Sequence, residues 1–326
     1  MCKVLIVTEA PDFTHHSLPS CYGAHRSYIK PRHNSTVAMN TLYEVLPSPD
    51  QGLGCFTTVL IPAGTLILSE TPLFNVREPR TNSAVIAAFS CLNTSQQVQY
   101  LTLHAQDPKV QGDAHVIDIF NANAWQTGSR TSICPLAARF NHSCIPNASF
   151  AWNARLCQIT VHAIVAIPAG AQINLNYERP YQKINSRREK LSAYGFVCSC
   201  TACGCGAVAS DVRRARMVLL DARIRSQRRQ LWTSPVPRAA LELVKVLREE
   251  GLVGEALGLA FHDAAVGWKR HGRLDLAISY ASKELDVCIM CFGLDSPCVD
   301  TTTSFLQELK GQLAKEVQSR TKEPSC

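Results

Sequence analysis

The sequence is short of several things that would point elsewhere. It has no apolar run of ~18 or more residues, the length a membrane-crossing helix needs, so neither a membrane span nor a membrane partner is expected. Its start, Met1 to Ala10, is short, carries Glu9 and does not resemble a secretory signal. Charge is modest: charged residues make up 18% and the net charge is +7, while 46% of residues are apolar, as in an ordinary soluble globular protein. The 15 cysteines would suggest disulfides in a small secreted protein. Most are scattered in apolar contexts and one group is tightly spaced, which fits reduced thiols and a metal in a cytoplasmic or nuclear protein better than disulfides. At 326 residues the chain has room for two domains, or one large domain with appendages.

Part of the positive charge sits in Arg213, Arg214, Arg216, Arg223, Arg225, Arg228 and Arg229. Asp211 and Asp221 interrupt the run and no aromatic platform accompanies it, so it reads as a solvated helix face, and no specific nucleic-acid binding is expected.

What is present centres on Arg139-Phe140-Asn141-His142-Ser143-Cys144-Ile145-Pro146-Asn147. An apolar run through Leu136, Ala137, Ala138 and Phe140 ends in an amide, an imidazole and a thiol, and Pro146 forces a turn. Downstream, Cys198, Cys200 and Cys203 supply three thiols where a tetrahedral zinc takes four ligands. Cys144 is the favoured fourth, because that choice explains a cysteine after Asn-His-Ser; Cys205 could replace one of the four or stay free.

Asn141-His142-Ser143-Cys144 with Pro146-Asn147, the stretch Gly170 to Tyr177, and Tyr194-Gly195-Phe196-Val197-Cys198-Ser199-Cys200-Thr201-Ala202-Cys203 together resemble a SET-domain protein-lysine methyltransferase with a post-SET zinc site. Gly52-Leu53-Gly54 followed by Ile61-Pro62-Ala63-Gly64 is similar to that family's opening motif. The motifs cover roughly residues 43–205, and the nearest group looks SMYD-like, without a visible MYND finger. The resemblance implies S-adenosylmethionine as cofactor, held by Gly52, Leu53, Gly54, Asn123 (from the Asn-Ala-Trp segment), Asn141, His142, Tyr177 and Phe196, with Phe196 stacking on adenine. It implies zinc on Cys144, Cys198, Cys200 and Cys203. It gives Tyr177 the catalytic role of orienting the amine and the departing methyl; with a phenol pKa near ~10 it would not be a strong base. Tyr181 and Tyr194 are possible channel walls. Where the family often has acidic residues after Gly170, Ala171 and Gln172 stand, a change expected to touch no catalytic group.

The expected fold class is α+β: a β-rich SET fold with a knotted-type cofactor site, a post-SET zinc site and a C-terminal helical, tetratricopeptide-like region. Residues 1–42 read as an irregular extension, although Val4 to Val7 has strand character and His15 and His16 are paired. Residues 43–182 form the SET domain, with a helical insert at about 83–130; residues 183–209 form the zinc segment and 210–326 the helical region. Strands are expected at Tyr43-Glu44-Val45, Cys55 to Leu60, Thr65 to Leu68, Ala148 to Trp152 and Gln158 to Ala163. A turn is expected at Pro47 to Gln51, and a strand pair at Ile164 to Ile167 and Ile173 to Tyr177. Ser83 to His104 shows helical spacing, and Asn185 to Tyr194 reads as a basic, capped helix. Leu257 to Gly267 and Leu274 to Cys291 form a helix pair closed by small residues, with Cys288 and Cys291 as core. The expected partner is a protein carrying a target lysine. A small-molecule substrate, methylated or cyclised, and a non-catalytic cofactor-binding interaction module are the alternatives.

Overall fold

The computed structural model describes residues 42–49, 51–229 and 237–322. The strand expected at Val4 to Val7 and the pair His15 and His16 lie outside the described residues.

Strand β1 (Tyr43–Ser48) pairs antiparallel with β2 (Gly52–Thr57), Ser48 lying opposite Gly52. The expected turn at Pro47 is therefore shorter. Pro47 stays in a two-stranded edge ladder, where its missing N–H costs no central bond, and Gly52 takes the reversal at φ 70°. The strand expected over Cys55 to Leu60 starts earlier and ends at Thr57. There the Thr57 hydroxyl donates to Pro168 O at 2.5 Å and the chain turns away. Ile61 then bridges Ile167. Ile164 to Ile167 thus finds its partner near residue 61, not in Ile173 to Tyr177 as expected.

Next come β3 (Leu66–Glu70) and β4 (Phe74–Arg77). The helix expected over Ser83 to His104 is broken in two, α1 (Asn82–Ser90) and α2 (Thr94–Leu101). The break is local chemistry: Asn93 and Gln96 form a reciprocal capping box that starts a new helix. Helix α3 (Gly112–Asn123) leads into β5 (Trp125–Thr127) and β6 (Arg130–Ile133), which join β4 in the order β4-β6-β5. Val85, Tyr100, Ile119, Phe120 and Ile133 form the core of this part.

A 3-10 turn (Ala137–Arg139) precedes the two-residue strand β7 (Asn141–His142). Strands β8 (Ala148–Asn153) and β9 (Gln158–Ala163) pair with β3 in the order β3-β9-β8. Then β10 (Asn174–Leu175) returns to lie parallel to β7, with Asn174 beside Asn141 and Leu175 beside His142. Asn147 welds the crossing: its side-chain Nδ2 donates to Gln172 O at 2.8 Å and its Oδ1 accepts from Asn174 N at 2.8 Å.

Helix α4 (Ile184–Ser192) starts at Lys183, whose side chain caps nothing. The cap comes from the next helix, where Asp211 Oδ1 accepts from Ile184 N at 2.8 Å. Helices α5 (Ala207–Arg229), α6 (Arg238–Glu250), α7 (Glu255–Arg270), α8 (Leu274–Phe292) and α9 (Pro297–Lys322) complete the described chain. Ala264, Ala277 and Ala281 are fully buried between α7 and α8, so those helices approach closely, as expected. Helix α8 also packs across β8 and β9, and Cys288 and Cys291 are buried.

The arginines of α5 are not simply a solvated face. Arg214 is fully buried, paired with Glu250 at 2.8 Å and donating to Cys144 O at 2.8 Å. Arg213, Arg216, Arg225 and Arg228 pair with Glu250, Glu242, Asp221 and Asp263. The side chain of Arg229 lies outside the described residues. A charge run read without its acids looks solvated; most of the acids are supplied by α6 and α7.

Candidate functional site

The crossing of β7 and β10 gathers most of the expected residues. Gly54 lies against it so closely that a Cβ would stand 2.8 Å from Asn141 Nδ2 and 2.4 Å from Gln172 Nε2. Only glycine fits there without displacing both amides. Asn141 is buried, and its Nδ2 has no hydrogen-bond partner among the described residues. A buried amide donor left unmade costs about 1–3 kcal/mol. An orphaned donor over a glycine cradle fits the oxygens of a bound polar group such as the amino-acid end of a cofactor. Gln172, expected to touch no catalytic group, is part of this cradle, and it also donates to Ser48 Oγ at 3.0 Å. Sequence reading missed it because the signal there was an absent acid, not a present amide.

His142 is committed on both ring nitrogens. Nδ1 accepts from Tyr177 N at 3.0 Å, so the neutral ring carries its proton on Nε2, facing Cys144 Sγ at 3.3 Å. The imidazole therefore links the tyrosine backbone to the thiol cluster. Tyr177 is buried, and its hydroxyl donates to Phe140 O. Burial, reinforced by the nearby Tyr194 and Cys55, pushes its phenol above the ordinary range, so it holds its proton at neutral pH. Its ring stands 5.2 Å from His142 and 5.3 Å from Tyr194, and Phe196, half-buried, lies 6.0 Å from His142. Tyr181 sits apart, packed among the α5–α7 core residues.

Gly52 and Leu53 are exposed on β2. Asn123 is buried at the end of α3, and its Nδ2 donates to His104 O and Ile119 O, both at 2.7 Å. Its amide donor thus fixes the end of its helix.

Cys144, Cys198, Cys200 and Cys203 bring their sulfurs within 4.8 Å of one another. Cys144 Sγ lies 3.5 Å from Cys203 and 3.9 Å from Cys198. Four sulfurs at the usual Zn–S length of ~2.3 Å in a tetrahedron would be about 3.8 Å apart, so the donor set fits zinc in kind, number and spacing. Cys205 is exposed and outside the cluster. Hydrogen bonds from their neighbours in the group hold Cys200 and Cys203 below the usual thiol range, so the site carries thiolate charge. Arg187 answers that charge: it is buried, with Nη2 3.4 Å from Cys203 Sγ and 2.7 Å from Ala202 O. Nothing in α4's sequence separates Arg187 from its solvated neighbours except its place one turn into the helix.

Among known families, SET domain matches residues 52–178. The histone-lysine N-methyltransferase set5 of Schizosaccharomyces pombe is 30% identical over 264 residues, covering 78% of this chain and 80% of that protein. A crystal structure of a candidate histone methyltransferase from Plasmodium falciparum is 14% identical and covers 43% of this chain and 95% of that one. Its TM-score of 0.27 adds nothing to the fold assignment. Matched through the crossing itself and over four fifths of a relative's length, this chain belongs to the SET-domain family of protein-lysine methyltransferases.

Proposed function

We propose that the chain methylates a lysine within a basic, histone-like protein segment, in the nucleus or the cytoplasm. SET methyltransferases use S-adenosylmethionine, which when bound supplies an electrophilic methyl on sulfur. The Gly52-Leu53-Gly54 strand with Asn141 would hold its amino-acid end, and His142 backbone, Asn123 and Phe196 its nucleoside. The observation carrying this reading is the orphaned Asn141 Nδ2 over Gly54, one strand position from the His142–Tyr177–Phe196 ring cluster.

Displacement at carbon needs alignment and an unprotonated amine. Lysine titrates near ~10.4 in water, and a dry channel lowers that value by disfavouring the charged form. Tyr177 stays a phenol under the same burial. It therefore acts as a fixed dipole that orients the amine, not as a base. Cys144, Cys198, Cys200 and Cys203 would hold one structural zinc, whose binding free energy ties the central loop to the segment bearing Phe196. The helices that follow this segment support a SMYD-like affiliation and a division into a catalytic part (43–182), a zinc segment (183–209) and a helical region (210–326).

Labelled methyl cofactor incubated with the protein and cell extract tests the reading. Label in protein bands, on lysine after hydrolysis, is expected. Label in the small-molecule fraction, or cofactor binding without transfer, would overturn it.

A further inference from the structure

A solvent-open cleft lies between the catalytic part and the helices. One wall is Pro146, Phe150 and Asn176, the residue before Tyr177; the other is Leu252, Val253 and Glu255, at the joint between α6 and α7. Glu255 is the sole charged residue in the lining among the described residues. It has neither ion pair nor hydrogen bond among them. Glu250, five positions earlier, is held by Ser210, Arg213 and Arg214. The helices thus neutralise one buried acid and leave the next open to the cleft. Its place in the first turn of α7 explains why an acid is tolerated there, but not why it faces a cleft beside the reaction centre.

We propose that Glu255 is a specificity-determining residue that receives a lysine or arginine side chain of the substrate, near the lysine to be methylated. The inference rests on the protein-lysine reading above. Apolar walls suit the aliphatic stem of such a side chain, and the carboxylate suits its head. Burial, with Cys298 nearby, pushes the Glu255 carboxyl up to about 8, a cost that a cation seated opposite would relieve. A metal ion would need further ligands, and the lining offers no second acid, histidine or thiol among the described residues.

The test titrates fluorescent peptides into the full chain, each with one central lysine flanked by arginine, by alanine or by glutamate. The wild-type chain should bind the arginine-flanked peptide about tenfold more tightly than the alanine-flanked one. Glu255→Gln removes a charge that burial already disfavours, so it should fold. It should lose the preference while binding the alanine peptide unchanged. Glu255→Lys should turn the preference toward glutamate. A wild-type chain without preference, or a Glu255→Gln chain that keeps it, overturns the proposal. Methyl transfer measured on the same peptides reads the activity separately: absent transfer with the binding preference intact counts against the methyltransferase reading alone.

Discussion

Tyr177 and Gly54 carry the sharpest consequences of single side chains. Replacing Tyr177 with phenylalanine removes a hydroxyl that donates to Phe140 O and leaves that carbonyl without it. The expected stability loss is about 1 kcal/mol, small beside the loss of methyl transfer. Cofactor affinity, read by calorimetry, should hold; an unchanged turnover would remove Tyr177 from the chemistry. Gly54→Ala should act the other way. Its Cβ would displace Asn141 and Gln172, so cofactor affinity should fall by about tenfold or more, the scale of one amide–oxygen hydrogen bond removed from a buried site. A Gly54→Ala protein that binds cofactor normally would place the pocket elsewhere.

At the scale of elements, the 3-10 turn before Asn141 is held from outside itself. Glu70, at the end of β3, accepts from Leu136 N at 2.9 Å and from Ala137 N at 2.7 Å. Burial outweighs these bonds and raises its pKa from 4.5 to about 7. Below pH 4.5 both folded and unfolded states keep the proton. Between there and about 7 only the folded state keeps it, so this group's contribution to stability falls as pH rises through that window. The full loss is at most about 3 kcal/mol. Thermal unfolding at pH 5 and pH 8 should therefore show a smaller fall in Glu70→Gln than in wild type. The thiol cluster is a second element-level device. Cys200→Ser should lose bound zinc and melt at lower temperature, whereas Cys205→Ser should keep both metal content and melting point, because its sulfur lies outside the group. Metal analysis of the two purified variants decides which sulfurs matter.

Across the whole molecule, Arg214 is the pin. From α5 it reaches Glu250 on α6, the carbonyl of Pro180 and the carbonyl of Cys144. The helical region is thereby fastened to the loop that supplies the cluster's first thiol. Without Arg214, Glu250 keeps Ser210 and Arg213, but the Pro180 and Cys144 carbonyls lose their donor, at about 1–3 kcal/mol for buried groups left unpaired. Arg214→Ala should lower the unfolding free energy from chemical denaturation by that order and loosen cofactor binding with it. Were the helices an independent appendage, stability would fall but cofactor affinity would not. Among the described residues no helix is long and apolar enough to cross a membrane, in keeping with the absence of long apolar runs.

Local signals were enough for much of this. Alternation wrote β8 and β9 almost residue for residue, and the C-x-C-x2-C spacing after Asn-His-Ser-Cys named the four clustered thiols before any geometry was known. The capping pair Asn93 and Gln96 was also written in the chain, and there helical periodicity was read past it. What the letters could not hold were partners brought from far away. Ile167 bonds to Ile61, β10 lies beside β7, Asp211 caps α4, and Arg187 and Arg214 are buried because thiols and acids distant in sequence meet them there. Period and spacing are properties of neighbours along the chain, so sequence determined elements and ligand types. Burial and charge pairing are properties of neighbours in space, so only the tertiary fold decided which arginine is solvated, which buried amide has no partner among the described residues, and which acid faces the cleft.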